Sequence, residues 1–267
     1  MGLRPVASLL PHEETIPSKS EKLFQDMKKE GIQRDPLIVD YESGTVLDGM
    51  HRLSAFKKLG AEHAVCYLVD YSSKGVTLQR WVRVYEVKKP DLVPTILEEL
   101  GLNQKATLGE LFDLVEGRKT ALGLIGAGSC FVAAEKGQQL TASFDLIRRL
   151  DKVFSALGWP VSFAAEDEID VATQDPSHLV ALTPKLNKQD VLTASRSGRL
   201  FPWKTSMHVV DPRPVAIDFP LADLMGMAPP TAELDSILKE GAPRLLPPNT
   251  TYKGRRYKER LLLLRGR

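Results

Sequence analysis

The sequence predicts an α+β protein, in which an N-terminal α/β domain packs against a second α+β domain. In the first 71 residues, short apolar and β-branched runs alternate with amphipathic segments in the order strand, helix, strand, strand, helix, strand. Later segments mix further strands with helices, including a strong amphipathic stripe over 141–157. With 267 residues, of which 43% are apolar, the chain is long enough for one large domain or two smaller ones. The change of sequence character beyond residue 71 favours two, and we expect domains 1–86 and 87–267.

Composition and charge narrow the class of protein. No apolar run approaches the roughly 20 residues of a membrane helix, and residues 1–11 do not resemble a secretory signal, so we expect a cytoplasmic protein without a membrane partner. Cys66 and Cys130 lie far apart in apolar runs, which predicts buried free thiols rather than a zinc site. The 36 basic and 34 acidic residues leave a net charge of +2, which does not indicate a nucleic-acid partner.

Apolar periodicity and turn residues predict the elements of the first 71 residues. A helix begins at a Ser18 or Ser20 cap, continues to about residue 30 and ends at Gly31. The predicted strands are residues 6–10, 36–40, 45–47 and 64–70, with a hairpin turn over 41–44.

A strand, a sharp turn and a helix follow one another over residues 44–60. The apolar run 45–47 stops at Asp48 and Gly49, and a helical pattern then continues to a stop at Gly60. Gly49 has no side chain and lets a ligand approach the backbone, while His51 and Arg52 fall in the first helical turn. The N–H groups and dipole of a helix N-terminus favour an anion, and Arg52 can add a bidentate contact. The junction therefore predicts a phosphate site, with a plain tight turn as the alternative.

The loop over residues 11–17 is polar and bracketed by prolines. It holds His12 next to Glu13 and Glu14, which is a combination suited to acid–base chemistry. The alternative interpretation is that the two glutamates are solvated loop charges.

Beyond residue 71, the sequence pattern predicts mainly helices and strands that build the core. Residues 76–85 form a strand that carries Trp81, and a capping box of Thr107 and Glu110 opens the second of two short helices between residues 90 and 118. A glycine turn at 126–128 joins strands 121–125 and 129–134, and residues 166–168 form a solvated acidic patch. Further elements are the helix 141–157, strands 161–164 and 179–182, and a helix from about 187 to 198.

A second concentration of chemistry follows that last helix. Lys204, Thr205, Ser206 and His208 lie within five residues, and Arg213 follows shortly after. Such a set could collect a carboxylate, an amine and a phosphate around one pocket, or could be an exposed loop.

The two ends of the chain carry a resemblance to a known family. Residues 10–71 resemble the catalytic domain shared by chromosome-partition ParB proteins, sulfiredoxin and the free L-serine kinases, which place a nucleotide phosphate on a Gly-x-x-Arg turn like Gly49-Met50-His51-Arg52. The His12-Glu13 pair and Asp48-Gly49-Met50-His51-Arg52 occur in kinase-like order. ParB and sulfiredoxin lack the C-terminal half, whereas the serine kinases carry a segment similar to Phe201-Pro202-Trp203-Lys204-Thr205 and a tail similar to Pro247-Pro248-Asn249-Thr250-Thr251-Tyr252-Lys253-Gly254-Arg255-Arg256-Tyr257-Lys258-Glu259-Arg260-Leu261.

The resemblance implies a kinase that transfers a phosphoryl group from ADP or ATP to the hydroxyl of free L-serine. It implies Glu13 as general base and Asp48 as a second catalytic residue that holds Mg²⁺ or orients the nucleophile. The implied phosphate-binding residues are Gly49, Met50, His51 and Arg52. The implied substrate-binding residues are Trp81, Lys204, Thr205, Ser206, His208 and Arg213.

The residues leave two alternatives open. One is a DNA-binding regulator descended from the ParB-like unit, for which the basic tail from residue 255 onward is the supporting feature. The other is a kinase for a different small hydroxylated amino acid, because Met207 stands where serine kinases read Thr-Arg-His. The choice between ADP and ATP and the oligomeric state are also left open.

Overall fold

In the computed structural model, residues 1–126, 128–133 and 140–265 are described. The helices are α1 (Pro17–Glu30), α2 (Met50–Leu59), α3 (Val93–Glu99), α4 (Leu108–Glu116), α5 (Leu140–Ala156), α6 (Ile169–Ala172), α7 (Lys188–Ser197) and α8 (Thr231–Glu240). The strands are β1 (Gly2–Pro5), β2 (Ile32–Gln33), β3 (Leu37–Asp40), β4 (Val46–Asp48), β5 (His63–Val69), β6 (Val76–Glu86), β7 (Gln104–Ala106), β8 (Gly123–Gly126), β9 (Ser129–Val132), β10 (Val161–Ala165), β11 (His178–Leu182), β12 (Ser206–Val210), β13 (Arg213–Val215), β14 (Phe219–Pro220), β15 (Arg244–Leu246), β16 (Thr250–Tyr252), β17 (Arg255–Tyr257) and β18 (Leu261–Leu263). This mixture confirms the predicted α+β class.

The chain packs into two compact units, each built from separate stretches of sequence. Unit 1 comprises Met1–Leu78, Asn187–Trp203 and His208–Arg267. Unit 2 comprises Gln79–Leu186 and Lys204–Met207. The division into consecutive domains 1–86 and 87–267 stays a prediction.

A four-stranded sheet with the order β1-β5-β3-β4 forms the centre of unit 1. Strands β3 and β5 are parallel, and the other two pairings in this sheet are antiparallel. Helices α1 and α2 contact each other, and their apolar faces join the core next to the sheet. Because β4 leads directly into α2, the fold brings the predicted phosphate turn to the end of the sheet.

The C-terminal stretch completes the core of unit 1. Ile217 and Phe219 are fully buried in the same apolar cluster as Leu37 and Phe56. Strand β13 runs parallel to β18, which pairs antiparallel with β15. Residues far apart in sequence therefore build one core, and the burial of these side chains stabilises the unit.

Unit 2 is organised around an antiparallel sheet with the strand order β10-β6-β11-β8-β9-β7. Helix α5 packs on it with Ile147, Leu150 and Phe154, as the predicted stripe requires. Phe154 stacks against Trp159 with ring centroids 4.8 Å apart. The described helices include none that is long and apolar enough to cross a membrane.

Several predicted boundaries are confirmed where the signal is local. Gly31 and Gly60 end α1 and α2 with left-handed backbones, for which glycine has no steric cost. Thr107 and Glu110 form the predicted capping box at α4. The predicted strand pair 121–134 is confirmed as β8 and β9, while Ala127 and Ala134 lie outside the described residues.

Two predictions near the N-terminus are wrong. Residues 6–10 are not a strand: the strand is β1, and a short 3-10 turn over Val6–Ser8 follows it, in which the Ser8 hydroxyl donates to the carbonyl of Pro5. Neither Ser18 nor Ser20 caps α1. Proline suits the first helical position because its φ is already helical, so α1 begins at Pro17.

Two predictions about exposure are also corrected. The acidic patch 166–168 is not simply solvated, because Glu166 pairs with Arg80 at 3.2 Å and with Lys185 at 2.6 Å. Cys66 is a buried free thiol as predicted, and burial raises its pKa to about 12. Cys130 is free but only half-buried.

Candidate active site

The end of β4 and the start of α2 form the predicted turn. Asp48 ends the strand, Gly49 has a φ of 108°, and Met50 begins the helix. A Cβ at position 49 would lie 2.6 Å from Cδ2 of Leu37 and 2.9 Å from Nη2 of Arg52. The backbone angle and the packing both require glycine. The turn therefore presents the N–H groups of the first turn of α2 to an anion.

Arg52 folds back over this turn. Its Nη1 lies 3.6 Å from Oδ2 of Asp35, and its Nε is buried without a hydrogen-bond partner among the described residues. A buried N–H without an acceptor is costly, because it forgoes the hydrogen bond that water would make. This donor therefore favours an incoming acceptor such as a phosphate oxygen.

The other two residues of the predicted turn have structural contacts. Met50 is buried and its side chain belongs to the core, so only its backbone can meet a ligand. The Nε2 atom of His51 accepts a hydrogen bond from the N–H of Ile16 at 3.1 Å. His51 thereby links the start of α2 to the residue that precedes α1. Its contact with phosphate stays a prediction.

The loop that carries Glu13 is held by backbone hydrogen bonds. The N–H of Phe201 donates to the carbonyl of His12 at 2.9 Å, and the N–H of Glu14 donates to the carbonyl of Phe201 at 2.8 Å. The side chain of Glu13 is 11% exposed, and its Oε1 lies 3.9 Å from Nε2 of His12. The loop is therefore a positioned segment rather than a freely solvated one.

Two buried histidines, His12 of that loop and His208 of β12, contact each other. Nδ1 of His12 is 2.7 Å from the carbonyl of Val46, and Nε2 of His208 is 2.8 Å from the hydroxyl of Tyr71. The two imidazole rings meet edge to face at 5.2 Å. Burial lowers the pKa of His12 and holds the pKa of His208 well below its ordinary value, so both rings are neutral near pH 7.

These contacts bring several predicted residues into one cluster. The pKa of His12 is raised, against the larger effect of burial, by the charges of both Glu13 and Asp48. Besides burial, the pKa of His208 responds to His12, Asp48 and Arg213. Two carboxylates, two neutral imidazoles and a guanidinium therefore lie close enough to influence one another.

Arg213 is buried in this cluster, and each of its three guanidinium nitrogens has a hydrogen-bond acceptor. Its Nη1 donates to Oδ2 of Asp48 at 2.5 Å, and its Nη2 donates to the carbonyl of His208 at 2.6 Å. Its Nε donates to Glu259. The side chain is only 3% exposed. Arg213 therefore positions Asp48 and the strand that carries His208.

A cleft opens beside Asp48 in unit 1. It is lined by Asp35, Pro36, Ile38, Asp48, Arg52, Arg213, Pro214, Val215, Arg255 and Tyr257. Nη1 of Arg255 lies 3.7 Å from Oδ2 of Asp48, and its guanidinium lies 4.6 Å from the centre of the Tyr257 ring. Three arginines and two aspartates line the cleft, so it has the net positive charge that favours a phosphate ligand.

The remaining predicted site residues belong to unit 2. The ammonium of Lys204 lies 4.0 Å from the centre of the Trp81 ring, which is a cation–π contact. The N–H of Trp81 donates to the carbonyl of Thr205 at 3.4 Å. Thr205 and Ser206 are both buried. The four residues therefore form one local group, and their role in substrate binding stays a prediction.

The carboxylates of the cleft are the candidate ligands of the predicted Mg²⁺ ion. Among the described residues, no group of three or more histidine, cysteine, aspartate or glutamate side chains could hold a metal ion. Mg²⁺ in phosphoryl-transfer sites is commonly bound by one or two carboxylates together with water and substrate phosphates. Asp48 and Asp35 line the same cleft, so these two carboxylates fit a Mg²⁺ site of that kind.

Several residues in this region were not among the predicted site residues. Arg255, Tyr257 and Glu259 come from the tail that carried the family resemblance. Their alternating spacing is the feature of the sequence that could have identified them as residues of one site. Asp35 and Tyr71 have no such signal. They reach Arg52 and His208 only through the fold.

Curated relatives with similar sequences cover most of this chain. An "ATP-dependent L-serine kinase" of Staphylothermus marinus is 25% identical over 233 residues, which are 82% of this chain and 89% of that protein. The "ADP-dependent L-serine kinase SerK" of Thermococcus kodakarensis is 22% identical, over 80% of this chain and 88% of that protein. A "ParB-like protein" of Sulfolobus acidocaldarius is 34% identical, over only 28% of this chain and 38% of that protein. No protein-family model matches the chain.

Solved structures share the fold. A free serine kinase in complex with AMP has a TM-score of 0.70 at 22% identity, over 84% of this chain and 92% of that one. A mutant free serine kinase in complex with ADP has a TM-score of 0.71, also at 22% identity, over 84% of this chain and 93% of that one. The predicted resemblance to free serine kinases is confirmed, and it extends well beyond the ParB-like part.

Proposed function

We propose that this chain is a free L-serine kinase, which transfers the terminal phosphoryl group of ADP or ATP to the hydroxyl of free L-serine and forms O-phospho-L-serine. The observation that carries the proposal is the cleft of unit 1, where Asp48 and three arginines lie next to the turn at Gly49. The curated relatives that cover most of the chain are named as L-serine kinases, which supports the same reaction over a ParB-like DNA-binding regulator.

The reaction needs a nucleophile, a leaving group and a proton acceptor. The serine Oγ forms a bond to the terminal phosphorus while the bond from that phosphorus to the bridging oxygen breaks. The electron pair of the broken bond leaves with the nucleotide, as AMP from ADP or as ADP from ATP. We assign the hydroxyl proton to the carboxylate of Glu13, which is a positioned, largely buried group on the loop held by Phe201.

Charge neutralisation is the second requirement of phosphoryl transfer. We assign the nucleotide phosphates to the N–H groups from Gly49 to Arg52 and to the guanidinium of Arg52, whose buried Nε lacks an acceptor among the described residues. Asp48, alone or with Asp35, would hold Mg²⁺, and the ion would supply positive charge on the phosphate oxygens. Arg213 holds the Asp48 carboxylate in place.

Recognition of serine requires partners for its ammonium and its carboxylate. Of the three cationic candidates, His208 is neutral because of burial, and the guanidinium of Arg213 is occupied by Asp48, Glu259 and a carbonyl. We therefore assign the substrate carboxylate to Lys204, with Trp81, Thr205 and Ser206 as its neighbours in serine recognition. His208 and Arg213 then support the site rather than pair with the carboxylate.

Phosphorus NMR tests the proposed function directly. The protein is incubated with Mg²⁺, with ADP or ATP, and with L-serine, L-threonine or L-homoserine in separate samples. We expect a phosphomonoester signal that coincides with that of added O-phospho-L-serine and requires one of the two nucleotides. Phosphorylation of another amino acid in preference to serine would change the assigned acceptor, and no phosphomonoester with any acceptor would overturn the proposal.

A further inference from the structure

The three arginines that line the cleft differ in how freely each can change partner. Arg213 is buried and has a hydrogen-bond acceptor for each of its three guanidinium nitrogens. Arg52 is packed over Gly49 and contacts Asp35. Both side chains are therefore fixed by the fold.

Arg255 is held more loosely. Its side chain is 42% exposed, and its ion pair with Asp48 has a separation of 3.7 Å, which is longer than a hydrogen bond. An exposed ion pair at this separation contributes little free energy. The guanidinium can therefore exchange Asp48 for a stronger anion at small cost.

The tail hairpin directs Arg255 toward this place. Successive residues in a strand point to opposite sides, so Arg255 and Tyr257 in β17 share a side while Arg256 points away. Tyr257 lines the cleft together with Arg255 and contacts its guanidinium. Arg256 donates instead to Asn249 at 3.0 Å, outside the cleft lining. Glu259, two residues beyond Tyr257, anchors the same segment to Arg213.

We propose that Arg255 binds the terminal phosphoryl group of the nucleotide, giving up Asp48 as it does so. The proposal rests on the proposed function, in which the turn at Gly49 and Arg52 bind the nucleotide phosphates and Asp48 would hold Mg²⁺ beside them. A guanidinium beside Asp48 can donate two parallel hydrogen bonds to the phosphoryl oxygens. The stacking on Tyr257 limits the freedom of the side chain and lowers the entropy cost of binding the phosphoryl group.

Calorimetric titration of AMP, ADP and ATP tests the proposal on the full chain. The variants are Arg255→Ala and Arg255→Lys, with Arg256→Ala as the matched control from the same strand. We expect Arg255→Ala to weaken binding of the nucleotide that carries the transferable phosphoryl group by about 10- to 100-fold and to leave AMP affinity unchanged. Arg255→Lys should fall between the wild type and Arg255→Ala, because lysine keeps the charge but lacks the forked pair of donors. Arg256→Ala should bind all three nucleotides like the wild type.

The outcomes separate this inference from the proposed function. Equal losses for AMP, ADP and ATP, or no loss for any of them, would overturn the assignment of Arg255 to the terminal group. Equal losses in Arg255→Ala and Arg256→Ala would indicate a general charge effect and would also overturn it. Because the readout is nucleotide affinity, a chain that fails to phosphorylate serine but shows the expected selective loss would overturn the proposed function and leave the inference standing.

Discussion

Arg213 and Asp48, which lie 165 positions apart in the sequence, form an ion pair in which Nη1 donates to Oδ2 at 2.5 Å. The same guanidinium binds the carbonyl of His208 and the carboxylate of Glu259. One buried side chain thus ties the strand before the Gly49 turn to β12 and to the tail. The position of Asp48 in the cleft therefore depends on the C-terminal stretch of unit 1.

The first prediction concerns Arg52, whose guanidinium packs over the turn. Arg52→Ala should weaken nucleotide binding by about 1 to 3 kcal/mol, which is the contribution of a charge-assisted hydrogen bond in a partly buried site. Calorimetry with ADP and ATP measures the change. Lys57→Ala, at an exposed position of the same helix, is the control and should bind like the wild type. Unchanged affinity in Arg52→Ala would mean that the phosphates bind elsewhere.

The second prediction distinguishes the two glutamates of the N-terminal loop. Glu13→Gln should lower kcat by about 10² to 10⁴ and leave nucleotide affinity nearly intact, because it removes a proton acceptor and keeps the shape. Glu14→Gln should change kcat little. The reverse pattern would move the base to Glu14, and normal turnover in both variants would remove this loop from catalysis.

The third prediction tests Lys204 as the partner of the substrate carboxylate. Lys204→Met keeps the length of the side chain and removes its charge, so the KM for serine should rise by about 10- to 100-fold. The affinity for ADP and ATP should stay at the wild-type value. A loss of nucleotide affinity equal to the loss for serine would instead assign Lys204 to the phosphates.

The fourth prediction compares a buried ion pair with an exposed one near the end of the chain. Glu259→Ala should lower the free energy of unfolding by about 3 to 5 kcal/mol, because it leaves the buried Arg213 guanidinium short of a partner. Arg260→Ala breaks a solvent-exposed pair with Asp211, in which the two side chains are 47% and 41% exposed, and it should lower the free energy of unfolding far less than Glu259→Ala does. Urea denaturation followed by circular dichroism measures both values. Similar losses would show that the Glu259 ion pair contributes no more than a surface pair.

The fifth prediction concerns acid pH. His12 and His208 have lowered pKa values in the folded protein because burial disfavours the charged rings, and the ordinary value is 6.5. Below that pH the unfolded chain binds protons that the folded chain excludes, so the free energy of unfolding should fall as pH decreases from about 6.5, by up to about 1.4 kcal/mol per pH unit for each histidine.

Denaturation of the wild type and of His208→Gln between pH 5 and pH 8 measures this dependence. The variant should show a shallower slope below pH 6.5, whatever its stability at pH 8. A wild-type stability that is flat or rises toward pH 5 would contradict the assignment of neutral buried rings.

Much of the local architecture follows from the sequence itself. The turn at Gly49, the stop at Gly60 and the capping box of Thr107 depend on backbone angles and hydrogen bonds within a few residues, which the residue types dictate. The start of α1 fails as a prediction because two serines offered plausible caps, whereas Pro17 already fixes a helical φ.

Tertiary structure decided which charges meet. The sequence marked Arg213 as a substrate partner, but packing places its guanidinium among Asp48, Glu259 and the carbonyl of His208, where no donor nitrogen lacks an acceptor. The sequence also identified the tail through its resemblance to the serine kinases, but only the fold brings Arg255 to within 3.7 Å of Asp48. The physical reason is range: turns and caps are set by neighbours along the chain, while ion pairs across the core are set by how distant strands pack together.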